Sequence, residues 1–252
     1  VWLMRRLGTP VPNPAGDRVI VSVMEPSYED DGAVSELWSL PTDGAAPPRR
    51  LTGTPGAEND VGGCPDGARI AFAAKRGDDE VDQIYVLNME GPGEAVRITS
   101  LSTGAARPVW SPDGKRLAFE SRVYPGAADD AANAEEKERR VELGYNASSY
   151  DIFPIRQWDR WLDDLQTHLF VQDAEPGATA RDLLAGTDFV AGTGYAGVPR
   201  LSGEQLHAQW TPAGDALLIA ATQNRHEAAR AQVYYHLYRV DANGGEPEQL
   251  TD

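Results

Sequence analysis

Four times along the chain, a short run of alternating apolar and polar residues follows a turn containing proline and glycine. The runs are Arg18-Val-Ile-Val-Ser-Val23, Arg69-Ile-Ala-Phe-Ala73, Arg116-Leu-Ala-Phe-Glu-Ser121 and Ala216-Leu-Leu-Ile-Ala220. They are strand-length and rich in β-branched or aromatic residues, so they predict strands. The turns before them are Pro12-Asn-Pro-Ala-Gly16, Cys64-Pro-Asp-Gly67, Trp110-Ser-Pro-Asp-Gly114 and Trp210-Thr-Pro-Ala-Gly214. In each, proline presets φ and glycine accepts a positive φ.

Two more landmarks follow in order. One is a strand opening on Leu or Ile: Leu37-Trp-Ser-Leu, Ile84-Tyr-Val-Leu-Asn88, Leu169-Phe-Val-Gln-Asp173 and Leu237-Tyr-Arg-Val-Asp241. The other is a short strand: Arg50-Leu-Thr52, Arg97-Ile-Thr99, Arg181-Asp-Leu-Leu184 and Gln249-Leu-Thr251. Asp-Gly or Asp-x-x-Gly joins these last two strands as a hairpin. Each copy is thus about four antiparallel strands, and the first three turn glycines lie 51 and 47 residues apart. A four-stranded unit repeating every 40–50 residues or so is a β-propeller blade. The expectation is an all-β propeller region over residues 1–252, with blades at 12–52, 61–99, 108–184 and 207–251. A β-sandwich with similar turns is the alternative.

Composition narrows the classes. Gly and Pro number 25 and 18, which fits a chain of many turns. Apolar residues make up 41%, enough for a core and too many for a disordered chain. The net charge of −16 argues against nucleic-acid phosphates as partners. The longest apolar run, Ala216–Ala221, is far shorter than the roughly 20 residues a membrane span needs, so no membrane is expected. A single Cys64 leaves no intrachain disulfide, and no zinc spacing occurs. No cofactor or metal is expected. The acidic clusters Glu29-Asp-Asp31, Asp78-Asp-Glu80 and Asp163-Asp164 read as solubilising loops.

Trp110-Ser-Pro-Asp-Gly-Lys-Arg-Leu-Ala-Phe119 resembles the repeat of TolB-type propellers and of the N-terminal propeller in prolyl oligopeptidase family (S9) serine peptidases. Pro154-Ile-Arg-Gln-Trp-Asp-Arg-Trp161, followed by Thr167-His-Leu-Phe-Val171, resembles the bacterial acylaminoacyl-peptidase and dipeptidyl-peptidase-like branch. The resemblance implies seven or eight blades and a C-terminal α/β-hydrolase domain beyond Asp252, which carries the catalytic Ser, Asp and His. The propeller would gate access for short peptides and help bind them. Further blades, a second fragment or a homo-oligomer partner would cover the open edges. A free-standing TolB-like module that binds proteins is the second reading. A propeller hydrolase using its own carboxylates and a metal is a third.

The third copy carries an insertion over residues 122–166: its turn glycine lies 55 residues before Leu169, against 17 to 23 elsewhere. Residues 131–143 are rich in helix formers, and Gly144 is a plausible stop. Glu135, Glu136 and Glu138 read either as a solvated helix face paired with Lys137, Arg139 and Arg140, or as holders of a substrate's α-amine, as the resemblance implies. Trp158 and Trp161 read as packing for the insertion, with Arg156 and Arg160 paired to aspartates. Alternatively, Arg156, Trp158 and Arg160 face a catalytic domain and bind a peptide carboxylate. No Gly-x-Ser-x-Gly occurs, so no hydrolase nucleophile elbow is expected in this chain. His168, His207, His226 and His236 read as structural. The N-terminus gives no secretion signal; a cytoplasmic location is favoured, with a periplasmic one open.

Overall fold

The computed structural model of the chain describes residues 4–27, 32–53, 57–90, 93–145, 147, 150, 154–157, 160–200 and 203–252. Among the described residues its strands form four successive antiparallel sheets and a separate two-stranded hairpin. The first holds β1 (Arg6–Leu7), β2 (Val11–Pro12), β3 (Arg18–Ser27), β4 (Gly32–Pro41) and β5 (Arg49–Arg50). Both β1 and β2 pair with β3, so together they act as one interrupted first strand. The second runs β6 (Asn59–Gly63), β7 (Arg69–Ala74), β8 (Gln83–Asn88) and β9 (Val96–Arg97). The third holds β10 (Ala106–Trp110) and β11 (Arg116–Val123). Then comes the insertion, with helix α1 (Asp130–Leu143) and the hairpin β12 (Arg156–Gln157) and β13 (Arg160–Trp161). The same sheet closes with β14 (Gln166–Asp173) and β15 (Arg181–Asp182). After the short helix α2 (Asp188–Ala191) the fourth sheet follows. It consists of β16 (Ala196–Arg200), β17 (Gly203–Gln205), β18 (Gln209–Trp210), β19 (Ala216–Thr222), β20 (His236–Asp241) and β21 (Glu248–Gln249).

The four turns share one geometry because they share one sequence pattern. The turn's first residue accepts from the glycine N–H: Gly16 to Asn13, Gly67 to Cys64, Gly114 to Ser111 and Gly214 to Thr211, at 2.8–3.0 Å. All four glycines have φ near +70° (72, 73, 67 and 69°), where a Cβ would be strained. A second backbone recurrence has no sequence signature. Asp60, Arg107 and His207 have φ of 54, 55 and 54°, each four residues before its turn. At Asp60 the register of β6 against β7 shifts, which is a bulge.

The Leu/Ile-Thr landmark also has a physical cause. Leu51, Ile98, Leu183 and Leu250 each donate a backbone N–H to the Leu or Ile landmark of the strand before, Leu37, Ile84, Leu169 and Leu237, at 2.8 Å. The threonine hydroxyl then accepts the N–H of that same residue: Leu37 to Thr52, Ile84 to Thr99 and Leu237 to Thr251, at 2.8–3.0 Å. The third sheet has Leu184 in place of this threonine.

The chain forms two compact units: residues 1–100, 104–119 and 172–179, and residues 101–103, 120–171 and 180–252. In the first, Ile20 and Leu37 of the first sheet pack with Ile70, Phe72, Tyr85 and Leu87 of the second. Gly62 lets β6 approach β10 closely, and the Trp110 indole N–H donates to Gly62 O at 3.1 Å. The acidic stretch over residues 78–82 departs from the solubilising reading. Asp79 is buried, takes the Tyr85 hydroxyl at 2.6 Å and pairs with Arg97 at 2.7 Å. Burial and this carboxylate push the Tyr85 hydroxyl up to about 12. The cluster at residues 29–31 lies outside the described residues.

In the second unit, α1 begins at Asp129, whose carboxylate accepts the Ala132 N–H at 2.9 Å, and ends at Gly144 with φ 59°. The buried Asn133 anchors the helix. Its amide donates to Thr103 Oγ1 and Arg122 O, and its oxygen accepts the Tyr124 N–H at 2.8 Å.

Candidate functional site

The residue preceding each Leu/Ile landmark is Glu36, Gln83, His168 or His236. In the first three its polar group meets the neighbouring short strand. Glu36 pairs with Arg50 at 2.5 Å, and Gln83 accepts the Thr99 hydroxyl at 2.7 Å. The third sheet reverses the charges: the base is on β14 and the acid on β15. His168 Nδ1 lies 2.6 Å from Asp182 Oδ2. Asp182 Oδ1 accepts the N–H groups of Leu184 and Ala185 at 2.9 and 3.2 Å. A carboxylate oxygen accepts, so a hydrogen bond at this distance is one donated by Nδ1. His168 Nε2 is buried without a partner.

His168 lines a cleft of about 1100 Å³, wholly within the second unit. Gln166 and His168 are two apart on β14 and share the face that lines it. Tyr195 is buried beneath, donating its hydroxyl to Thr167 O at 2.5 Å, and burial pushes that hydroxyl far above its ordinary value. Its ring meets Phe189 edge-on at 5.1 Å, and Phe189 meets Tyr238 at 4.7 Å. Glu204 and Arg225 form a largely buried ion pair in the wall. Burial outweighs the arginine there and pushes the Glu204 carboxyl up. On the opposite wall, Arg140 grips Asp164 through two bonds of 2.6 and 2.7 Å and lies 4.3 Å over the Tyr124 ring. That guanidinium holds the Asp164 carboxyl below its usual range.

None of the described residues proposed from sequence to bind substrate lines this cleft. Glu135 is an exposed residue of α1. Glu136 is held by Arg139 at 2.7 Å and Arg140 at 2.6 Å, which bring its carboxyl down to about 2. Arg156 is exposed on β12, its guanidinium 6.0 Å from the Trp161 ring. Arg160 sits in β13, its backbone in register with Gln157. Trp158 lies outside the described residues. Trp161 is exposed rather than packed under the insertion. The reading missed His168 with Asp182, and Glu204 with Arg225. The available signal was the break in the repeat, where Arg-x-Thr becomes Asp-Leu-Leu opposite a histidine.

An imidazole oriented by a carboxylate is half of a nucleophile-activating arrangement. Among the described residues no hydroxyl or thiol meets Nε2.

The comparisons with known proteins agree with this architecture. The chain is 27% identical over 191 residues to dipeptidyl-peptidase 5 of Porphyromonas endodontalis, covering 75% of this chain and 26% of that protein. It is 28% identical over 139 residues to the uncharacterized peptidase YuxL of Bacillus subtilis, covering 54% of this chain and 20% of that one. A solved acylaminoacyl peptidase, in complex with Z-Gly-Gly-Phe-chloromethyl ketone, superposes with a TM-score of 0.62 at 14% identity. The match covers 98% of this chain and 32% of that one.

The chain is similar to the propeller region of S9 family peptidases.

No family model matches it. TolB from Acinetobacter baumannii also shares the fold of this chain, with a TM-score of 0.53 at 14% identity over 98% of this chain and 43% of that one. The chain spans a fifth to about a quarter of the length of the curated relatives it matches (20 and 26%).

Proposed function

We propose that this region is the non-catalytic propeller of a serine peptidase that hydrolyses short peptides, of acylaminoacyl- or dipeptidyl-peptidase-like type. In this reading it gates a C-terminal α/β-hydrolase site carried by the rest of the parent polypeptide, which folded proteins are too large to reach. The observation that carries the reading is the pairing of peptidase relatives with a chain that spans only 20–26% of their length. The absence of Gly-x-Ser-x-Gly from the sequence supports a division of labour in which this part binds and admits. Arg156, Trp158 and Arg160 would meet a peptide carboxylate, and Glu135 or Glu136 its amine.

The test is active-site labelling with a fluorophosphonate. The 252-residue chain should remain unlabelled, while the protein from its full reading frame should label at one serine. Labelling of the short chain would refute the non-catalytic reading. A full-length product without a reactive serine would favour the TolB-like, protein-binding alternative.

A further inference from the structure

The cleft in the second unit carries uncompensated negative charge. Three carboxylates in its wall are countered: Asp163 by Arg122 at 2.6 Å, Asp164 by Arg140, and Glu204 by Arg225. Asp188, exposed in the same wall, meets no cation among the described residues. Behind His168 stands the buried carboxylate of Asp182, met by His168 and two backbone N–H groups. The guanidiniums that reach the cleft, Arg140 and Arg225, are committed to the pairs above, which leaves none among the described lining residues for an anionic ligand.

A second observation comes from His168 itself. It is 2% exposed and lines the cleft, whereas Asp182 does not line it. The Nδ1 edge faces Asp182, so the ring reaches the cleft with the opposite, Nε2 edge. Nε2 is buried without a partner. With the Nδ1 proton given to Asp182, the neutral ring offers Nε2 as an acceptor. An acceptor backed by a buried carboxylate suits a cationic donor. The same geometry serves metal ligands, but no group of three His, Cys, Asp or Glu able to hold an ion occurs among the described residues. Ala127, Ala128, Leu162, Ala185 and Val190 supply an apolar wall, and about 1100 Å³ accommodates a ligand the size of a short peptide. We propose that the cleft binds a primary ammonium on an apolar body, its N–H donated to His168 Nε2 and its charge balanced by Asp182 and Asp188. The amino terminus of a peptide and a lysine side chain share this chemistry. The inference does not rest on the peptidase reading, and its test reads binding rather than hydrolysis.

The experiment is calorimetric titration of the 252-residue chain with n-hexylammonium, hexanol and hexyltrimethylammonium. Hexylammonium should bind with a Kd of about 1 mM or tighter. Hexanol lacks the charge and hexyltrimethylammonium lacks N–H donors. Each should bind at least about tenfold more weakly, the loss expected for a hydrogen bond to a charged group. His168→Gln should weaken hexylammonium by at least about tenfold, and Asp188→Asn by about threefold, since that carboxylate is exposed. Nitrogen-15 spectra give a readout that needs no variant: His168 Nε2 should be unprotonated in the free chain, and hexylammonium, not hexanol, should move its resonance. Leucine methylamide carries its ammonium on the α-carbon and Nα-acetyllysine methylamide at a side-chain end, so the tighter of the two names the source. Equal binding of the three hexyl ligands, a doubly protonated His168 in the free chain, or an Nε2 resonance unmoved at saturation would overturn the inference. So would failure of every primary ammonium to bind.

Discussion

His168 and Asp182 face each other across β14 and β15 with 2.6 Å between Nδ1 and Oδ2, both nearly sealed from solvent. The carboxylate also takes two backbone N–H groups, so it satisfies three donors at once. Asp182→Ala should strand all three and cost about 3 kcal/mol, in the range for breaking a buried pair. His168→Gln should cost less, about 1 kcal/mol, because the second blade already uses Gln83 at this position. Urea unfolding measures both; equal losses would mean that the ring itself, not the carboxylate's donors, sets the stability.

Thr99 and Thr251 hold the same bond in different surroundings. Thr99 is fully buried, accepts the Ile84 N–H and donates to Gln83. Thr251 is exposed; its hydroxyl accepts the Leu237 N–H, and its carbonyl accepts the Gln249 side-chain amide. Thr99→Val should cost about 1–2 kcal/mol, and Thr251→Val under about 0.5 kcal/mol, since water can replace the lost bond. A similar loss at both sites would contradict the burial argument.

Acid should weaken the second unit through Arg140. Glu136 and Asp164 have carboxyls held below 4.5 and 3.8 by hydrogen bonds from arginines. Depressed native values mean that the unfolded chain binds more protons in this window, so stability falls as pH drops. For Glu136 the loss runs from its ordinary 4.5 down to about 2. Arg140→Gln should flatten this acid limb in urea midpoints measured from pH 5 to 2. Glu204 has the opposite sign: its raised carboxyl makes stability fall as pH climbs above 4.5. Glu204→Gln should remove that slope.

Gly62 has no room for a side chain. A Cβ there would sit 2.4 Å from Pro108 O, a backbone atom that cannot swing aside. Gly62→Ala should lower stability by about 2–4 kcal/mol and break the Trp110 bond, visible as a shift in tryptophan emission. An unaltered melting curve would show that β6 and β10 can separate without penalty.

The blades were legible because each is written locally. Proline and glycine set the turn, alternation sets the strand that follows, and Leu/Ile-Thr closes the hairpin. Helix α1 was legible for the same reason, from helix formers ending at Gly144. The cleft was not, because its residues come from separate stretches: Arg140 from α1, His168 from a strand, and Glu204 and Arg225 from beyond α2. Local composition misled at Asp79, which has the sequence of a solvated loop but is buried by Tyr85 and Arg97. It misled at Trp161 as well, where a large aromatic stands in the open. Glu136 was legible as a helix pair, since its arginine partners are three and four residues on.

The left-handed residues Asp60, Arg107 and His207 are an acid, a base and an imidazole, with no side-chain chemistry in common. Each holds a backbone angle that costs such residues roughly 1 kcal/mol. Three unrelated side chains at one backbone angle show that the repeat keeps this kink in its torsions and not in its side chains, and glycine at any of the three should relax the chain.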